Sequence, residues 1–218
     1  MLRDVSMEEI SDGKKYNRHD LARLGCNDCK GCSSCCEEMG DTIILDPLDV
    51  YRITSYLACD FQSIIGTYLD IRIVDGVCLP GIKMNDTTGA CGFLKEGRCS
   101  IHKIRPGICR LFPLGRAYED GSFYYFLQKD ECKVKNRSKV RIDKWIGEED
   151  MASYEEFTLR WHNFLVHLRN MVSEMDDHEE IRALSMAVLS NFYVAKYDDT
   201  RDFYEQVYER IDSYPLLK

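Results

Sequence analysis

The stretch CNDCKGCSSCC, residues 26–36, sets five thiols into eleven positions. Disulfides and metal ligation are the two ways such a run could be held together. MLRDVSMEEISDGKKYNRHD (1–20) offers no apolar h-region, so no secretory signal is read. A cytoplasmic, reducing setting is therefore expected, and there disulfides explain eleven cysteines poorly. Metal ligation explains them well, because short gaps let a chain turn round an ion with soft thiolates. Cys26, Cys29, Cys32 and Cys36 follow the C-x2-C-x2-C-x3-C spacing of a bacterial ferredoxin run, with Glu37 where Pro usually follows. If the end of the run is helical, Cys32, Cys35 and Cys36 share one face.

The rest of the chain bounds the fold. Its 218 residues suit one domain, or one domain with an extension. A net charge of −8 argues against a general nucleic-acid partner, and no apolar run is long enough to span a membrane. Residues 1–20 read as a flexible tail, 21–147 as the cysteine-bearing domain and 148–218 as a helical extension packed on it. TIIL (42–45) reads as a short strand. Asp46-Pro47 caps a helix over 47–58, and Asp60 opens a second with Phe61, Ile64, Ile65 and Leu69 on one face. IRIVDGVCL (71–79) reads as strand around a turn, and SFYYFLQ (122–128) as strand. Ser153 and Glu156 suggest a capping box. Apolar residues then recur at helical spacing in three segments, starting at Phe157, Ile181 and Phe203. The expected fold is α+β: a compact, loop-rich cysteine core with short strands, plus C-terminal helices.

The second group of cysteines lies in CGFLKEGRCSIHKIRPGICRLFP (91–113), which supplies Cys91, Cys99 and Cys109; Cys132 follows. Cys59 and Cys78 stand alone among apolar neighbours and read as core packing. CKGCSSCC (29–36) together with this segment resembles the YkgJ-type cysteine-cluster family, described as a zinc- or iron-chelating domain. The family's CxxCxxCC run falls on Cys29, Cys32, Cys35 and Cys36. Its later motifs fall on Cys91 with Phe93 and Leu94, on Cys99 with Ile101, on Arg105-Pro106, and on Cys109-Arg110 with Phe112-Pro113. Cys132 fits a further cysteine usual downstream, and KWIGEED (144–150) resembles longer members.

The resemblance implies metal ligation by Cys29, Cys32, Cys35, Cys36, Cys91, Cys99, Cys109 and Cys132. Cys26 precedes the usual run, so it competes with Cys35 for a place in the ligand set. His102 stands where many members have Tyr and reads as a satisfied histidine. Arg105 and Arg110 are expected beside the sulfurs, where cations offset thiolate charge. Lys103 and Arg116 are read evenly between that role and solvated loop charge.

Other chemistries find no support. The chain has no GxGxxG or Walker loop, no GxSxG elbow and no radical S-adenosylmethionine spacing. His162 and His167, five apart, point to different helix faces. The expected cofactor is thus an iron–sulfur cluster, favoured by the ferredoxin-like spacing, or zinc. The metal would be structural or carry electrons, with the helices serving a protein partner. A cluster-dependent modifying enzyme is the alternative, by analogy with flagellin lysine methylases, which carry a similar cysteine domain.

Overall fold

The structure, a computed structural model, describes residues 6–26, 32–37 and 39–214. It is an α+β fold in which every sheet among these residues has two strands. A one-turn helix, α1 (Met7–Ile10), leads to β1 (Leu21–Gly25). Residues 6–20 are not a loose tail. Asp12 N–H donates to the Leu127 carbonyl at 3.0 Å, and Tyr16 exchanges backbone bonds of 2.8 and 2.9 Å with Tyr125. Backbone makes these ties, so polar side chains give no sign of them.

TIIL does not form a full strand. A 3-10 turn holds Gly40–Thr42, and Ile44 makes a single bridge to Gly81. Helix α2 (Pro47–Leu57) starts as expected, with Pro47 at its first position. Asp49 N–H donates to Asp46 Oδ1 at 2.8 Å and Asp46 N–H to Asp49 Oδ2 at 3.3 Å. The next helix is far shorter than the apolar spacing suggests. Helix α3 is only Phe61–Ile64, because Gly66 turns the chain at φ +79° and Leu69 enters a strand.

Three hairpins follow. They are β2 (Leu69–Val74) with β3 (Val77–Ile82), β4 (Leu94–Lys95) with β5 (Arg98–Cys99), and β6 (Leu114–Glu119) with β7 (Ser122–Leu127). Each turns on a two-residue X-Gly loop with both φ angles positive: Asp75-Gly76, Glu96-Gly97 and Asp120-Gly121. That geometry matches the twist of antiparallel strands and explains glycine at the second position. Between the last two hairpins lies helix α4 (Gly107–Leu111). Strand β8 (Ser138–Arg141) closes antiparallel on β1, and helix α5 (Ile142–Ile146) follows directly.

The C-terminal end is helical: α6 (Met151–Glu174), α7 (His178–Leu189) and α8 (Phe203–Asp212), with a π turn at Ser190–Val194. The cap of α6 is Asp150, not Ser153. Its carboxylate accepts from Ala152 N–H and Ser153 N–H, and Ser153 Oγ donates to it at 2.6 Å. A carboxylate accepts these bonds better than a hydroxyl, so the helix begins earlier than the Ser-x-x-Glu pattern suggests. One apolar cluster runs from Ala22 and Leu24 through Ile53, Leu79 and Phe93 to Trp161, Phe192 and Tyr214. Tyr193 Oη, deep within it, donates to the Leu45 carbonyl at 3.0 Å.

Candidate metal centre

Backbone pairing joins the two cysteine segments. The first run ends in a 3-10 turn, Ser34–Cys36, closed by Cys36 N–H donating to Ser33 O at 2.7 Å. A short turn replaces the helix considered above, and Ser33 Oγ braces it by donating to Glu37 Oε1 at 2.7 Å. Cys91 N–H then donates to the Cys36 carbonyl at 2.7 Å, and Glu37 bridges Ala90. These contacts set Cys35 and Cys36 directly against Cys91. The β4–β5 hairpin carries Cys99 back opposite Leu94, and a 3-10 turn (His102–Ile104) leads into α4 with Cys109.

The result is one cavity of about 60 Å³ lined by six thiols: Cys32, Cys35, Cys36, Cys91, Cys99 and Cys109. Its remaining wall is mainly apolar, from Ile43, Ile82, Met84, Phe93, Ile101, Phe112 and Trp145. Trp145 is held there by its Nε1–H donating to the Phe112 carbonyl at 3.1 Å. The sulfurs of Cys35 and Cys36 lie 4.0 Å apart, and Cys32 Sγ is 3.6 Å from Ser34 Oγ. Among the described residues, no three His, Cys, Asp or Glu side chains already stand at ligand geometry around one point. Each sulfur swings on a single χ1 bond from the backbone that positions it.

Cations meet this wall at Arg98 and Arg105. Arg105 Nη1 donates to the His102 carbonyl at 3.2 Å and lies 2.9 Å from His102 Nε2, so the histidine is engaged by the arginine. Arg110 does something else. Its guanidinium donates to the carbonyls of Arg105 (2.9 Å) and Lys103 (2.8 Å), fixing the loop between Cys99 and Cys109 without lining the cavity. The Lys103 side chain is exposed. Arg116 turns away to α6, where Nη2 donates to Tyr154 Oη at 2.8 Å.

The electrostatics follow from these contacts. A hydrogen bond from Cys36, with help from Arg105, lowers the Cys35 thiol to about 7, and the same bond with burial raises Cys36. Burial pushes Cys91 and Cys99 up and Cys109 well up. A cation held by these thiols would oppose that rise, since coordination removes the thiol proton.

Three of the expected ligands are not among the thiols named above. Cys29 falls outside the described residues. Cys26, just after β1, and Cys132, in the half-exposed loop before β8, do not line the cavity. Cys78 sits in β3, and Cys59 lines a separate cleft of about 710 Å³ between α2, α3 and residues 192–199. Sequence reasoning passed over Asp49, Trp145 and the Ile43–Ile82 wall. The Asp46-Pro47 cap signalled the start of α2 but not that Asp49 reaches α4.

A family model described as "CxxCxxCC: Putative zinc- or iron-chelating domain" matches residues 28–141, more than half of the chain. The uncharacterized protein MJ0661 of Methanocaldococcus jannaschii is 30% identical over 145 residues, covering 59% of this chain and 75% of that protein. No solved structure matches. Among the described residues, no helix is long and apolar enough to cross a membrane.

Proposed function

Because this chain belongs to the CxxCxxCC family of zinc- or iron-chelating domains, we propose that it holds iron, as an iron–sulfur cluster, in the thiol-lined cavity. The observation that carries this reading is the number of thiols on one wall. Six sulfurs face this cavity, more than the four thiolates that either a tetrahedral zinc ion or an iron–sulfur cluster takes, so the wall can supply a full ligand set by itself. Soft thiolates in a mainly apolar wall with arginines beside it suit an iron–sulfur cluster, and the family's zinc- or iron-chelating description agrees with that choice. The holding residues would come from Cys32, Cys35, Cys36, Cys91, Cys99 and Cys109, with Cys29 next to them in sequence. Arg98 and Arg105 offset thiolate charge, and the apolar wall excludes water. When bound, such a centre supplies electron transfer or a cross-link between loops. A cytoplasmic setting would keep unliganded thiols reduced.

Anaerobic purification with iron, zinc and acid-labile sulfide analysis tests the reading. Iron with sulfide is the expected result. Zinc without sulfide would replace the cluster by a zinc site, and folded, reduced protein with neither metal would overturn both. Cys→Ser at any cavity position should lower metal content, because a hydroxyl is a poor soft-metal ligand. At Cys59 or Cys78, both half-buried, the same change should leave metal content intact and cost about 1 kcal/mol or less. Cys26→Ser and Cys132→Ser should behave like these two controls.

A further inference from the structure

Helix α4 carries Cys109 but has no side-chain cap of its own, since Pro106 stands at the cap position. The acceptor for its first N–H comes from another helix. Gly107 N–H donates to Asp49 Oδ1 at 2.7 Å, within a buried contact between residues 58 positions apart. Asp49 is only 4% exposed, and its other oxygen accepts from Asp46 N–H, so it cannot swing aside freely. Helix α6 also closes on Gly107 through Tyr154. A Cβ built on this glycine would stand 2.5 Å from Tyr154 Oη, which itself accepts from Arg116. Backbone at Gly107 is therefore gripped between α2 and α6, two residues before Cys109.

We propose that Asp49 is a positioning residue for the thiol site: by capping α4 from α2, it sets Cys109 in the cavity wall. Its effect on metal uptake rests on the thiolate-site reading above, but its effect on Cys109 does not. Removal of the carboxylate leaves a buried N–H without an acceptor, and the one-turn helix loses its anchor. Asparagine keeps an acceptor oxygen in the same place.

The test uses the full-length chain in two states. In metal-free, reduced protein, alkylation of Cys109 is followed by mass spectrometry. Asp49→Ala should speed it about tenfold, as expected for loss of a cap and local opening, while Asp49→Asn stays near wild type. In the second state Co²⁺ is the probe, because thiolate-to-cobalt absorption scales with the number of bound thiolates. Asp49→Ala should bind Co²⁺ about 10–100-fold more weakly, with reduced thiolate absorption. Asp49→Asn should restore both readouts. Asp46→Ala, which removes the α2 cap but spares the Gly107 contact, should resemble wild type. Equal effects of Asp46→Ala and Asp49→Ala, or unchanged Cys109 alkylation in Asp49→Ala, would overturn the proposal. If wild type takes up no Co²⁺ while alkylation responds as expected, the metal reading falls and the role of Asp49 stands.

Discussion

Between residues 32 and 112 the longest helix has eleven residues and the sheets are two-stranded, whereas from 151 to 212 three helices close over a shared aromatic cluster. In that cluster Trp161, Phe164, Phe192 and Tyr214 pack in tilted and edge-to-face pairs with ring centroids 5.0–5.9 Å apart. Burial of such rings holds a helical assembly without special chemistry. The cysteine half joins the same core through Ile53, Leu79 and Phe93 but does so from shorter elements. It is also stitched by side chains that bond backbone outside their own helix, Asp49 to distant Gly107 and Arg110 to the nearby carbonyls of residues 103 and 105. An ion pair adds to them: Arg52 grips Glu148 with two bonds of 2.7 Å. A region built of short elements gains from such cross-links, and the thiols offer another set.

The largest effect should come from the aromatic side. Phe192→Ala removes a fully buried ring and should cost about 3–5 kcal/mol in urea unfolding, with metal per folded molecule unchanged. Selective loss of metal would mean that the two regions are not held by separate means. Next comes the ion pair. Arg52→Ala strands Glu148, whose side chain is 6% exposed, leaving it, among the described residues, Arg110 at 3.6 Å. The expected cost is about 3 kcal/mol, with faster proteolysis around α4. A cost under about 1 kcal/mol would place this pair with ordinary surface bridges.

The smallest effect is a pH slope. Burial raises the Asp49 carboxyl to about 6, opposed by bonds from Gly107 and Asp46 and by Arg52 and Arg110. Burial and the charge of Asp49 also raise Asp46, with Arg116 and Arg52 opposing. A folded-state value above the unfolded one of about 3.9 favours the neutral acid in the fold. Its contribution is present in full below about pH 4 and lost as pH rises through about 6. The urea midpoint of wild type should therefore fall across that window relative to Asp49→Asn, which cannot ionise. Parallel profiles would show that Asp49 does not titrate there.

Much of the helical end was legible because its signals are local. Phe157, Trp161, Phe164 and Leu168 recur on one face of α6, and all four are buried. The Asp46-Pro47 start of α2 and the Asp75-Gly76 turn were readable for the same reason. The β1–β8 ladder was not, because Leu21 and Arg141 meet across the whole cysteine region. Helix α3 was overestimated: Phe61 and Ile64 fit a helix face, but Leu69 is needed opposite Ile82 in a hairpin. Tertiary pairing outweighed the local period there.

From its sequence alone this chain determined its family, its α+β class and the supply of clustered thiols, since spacing between neighbouring cysteines is a local property. Only the tertiary structure decided which thiols share a wall. Cys91 meets Cys36 through a backbone bond, Cys109 arrives on a helix capped from α2, and Cys26 and Cys132 stay outside the cavity lining. The physical reason is that chain reversals and inter-helix caps join residues tens of positions apart. Side-chain identity at either end carries little record of the partner.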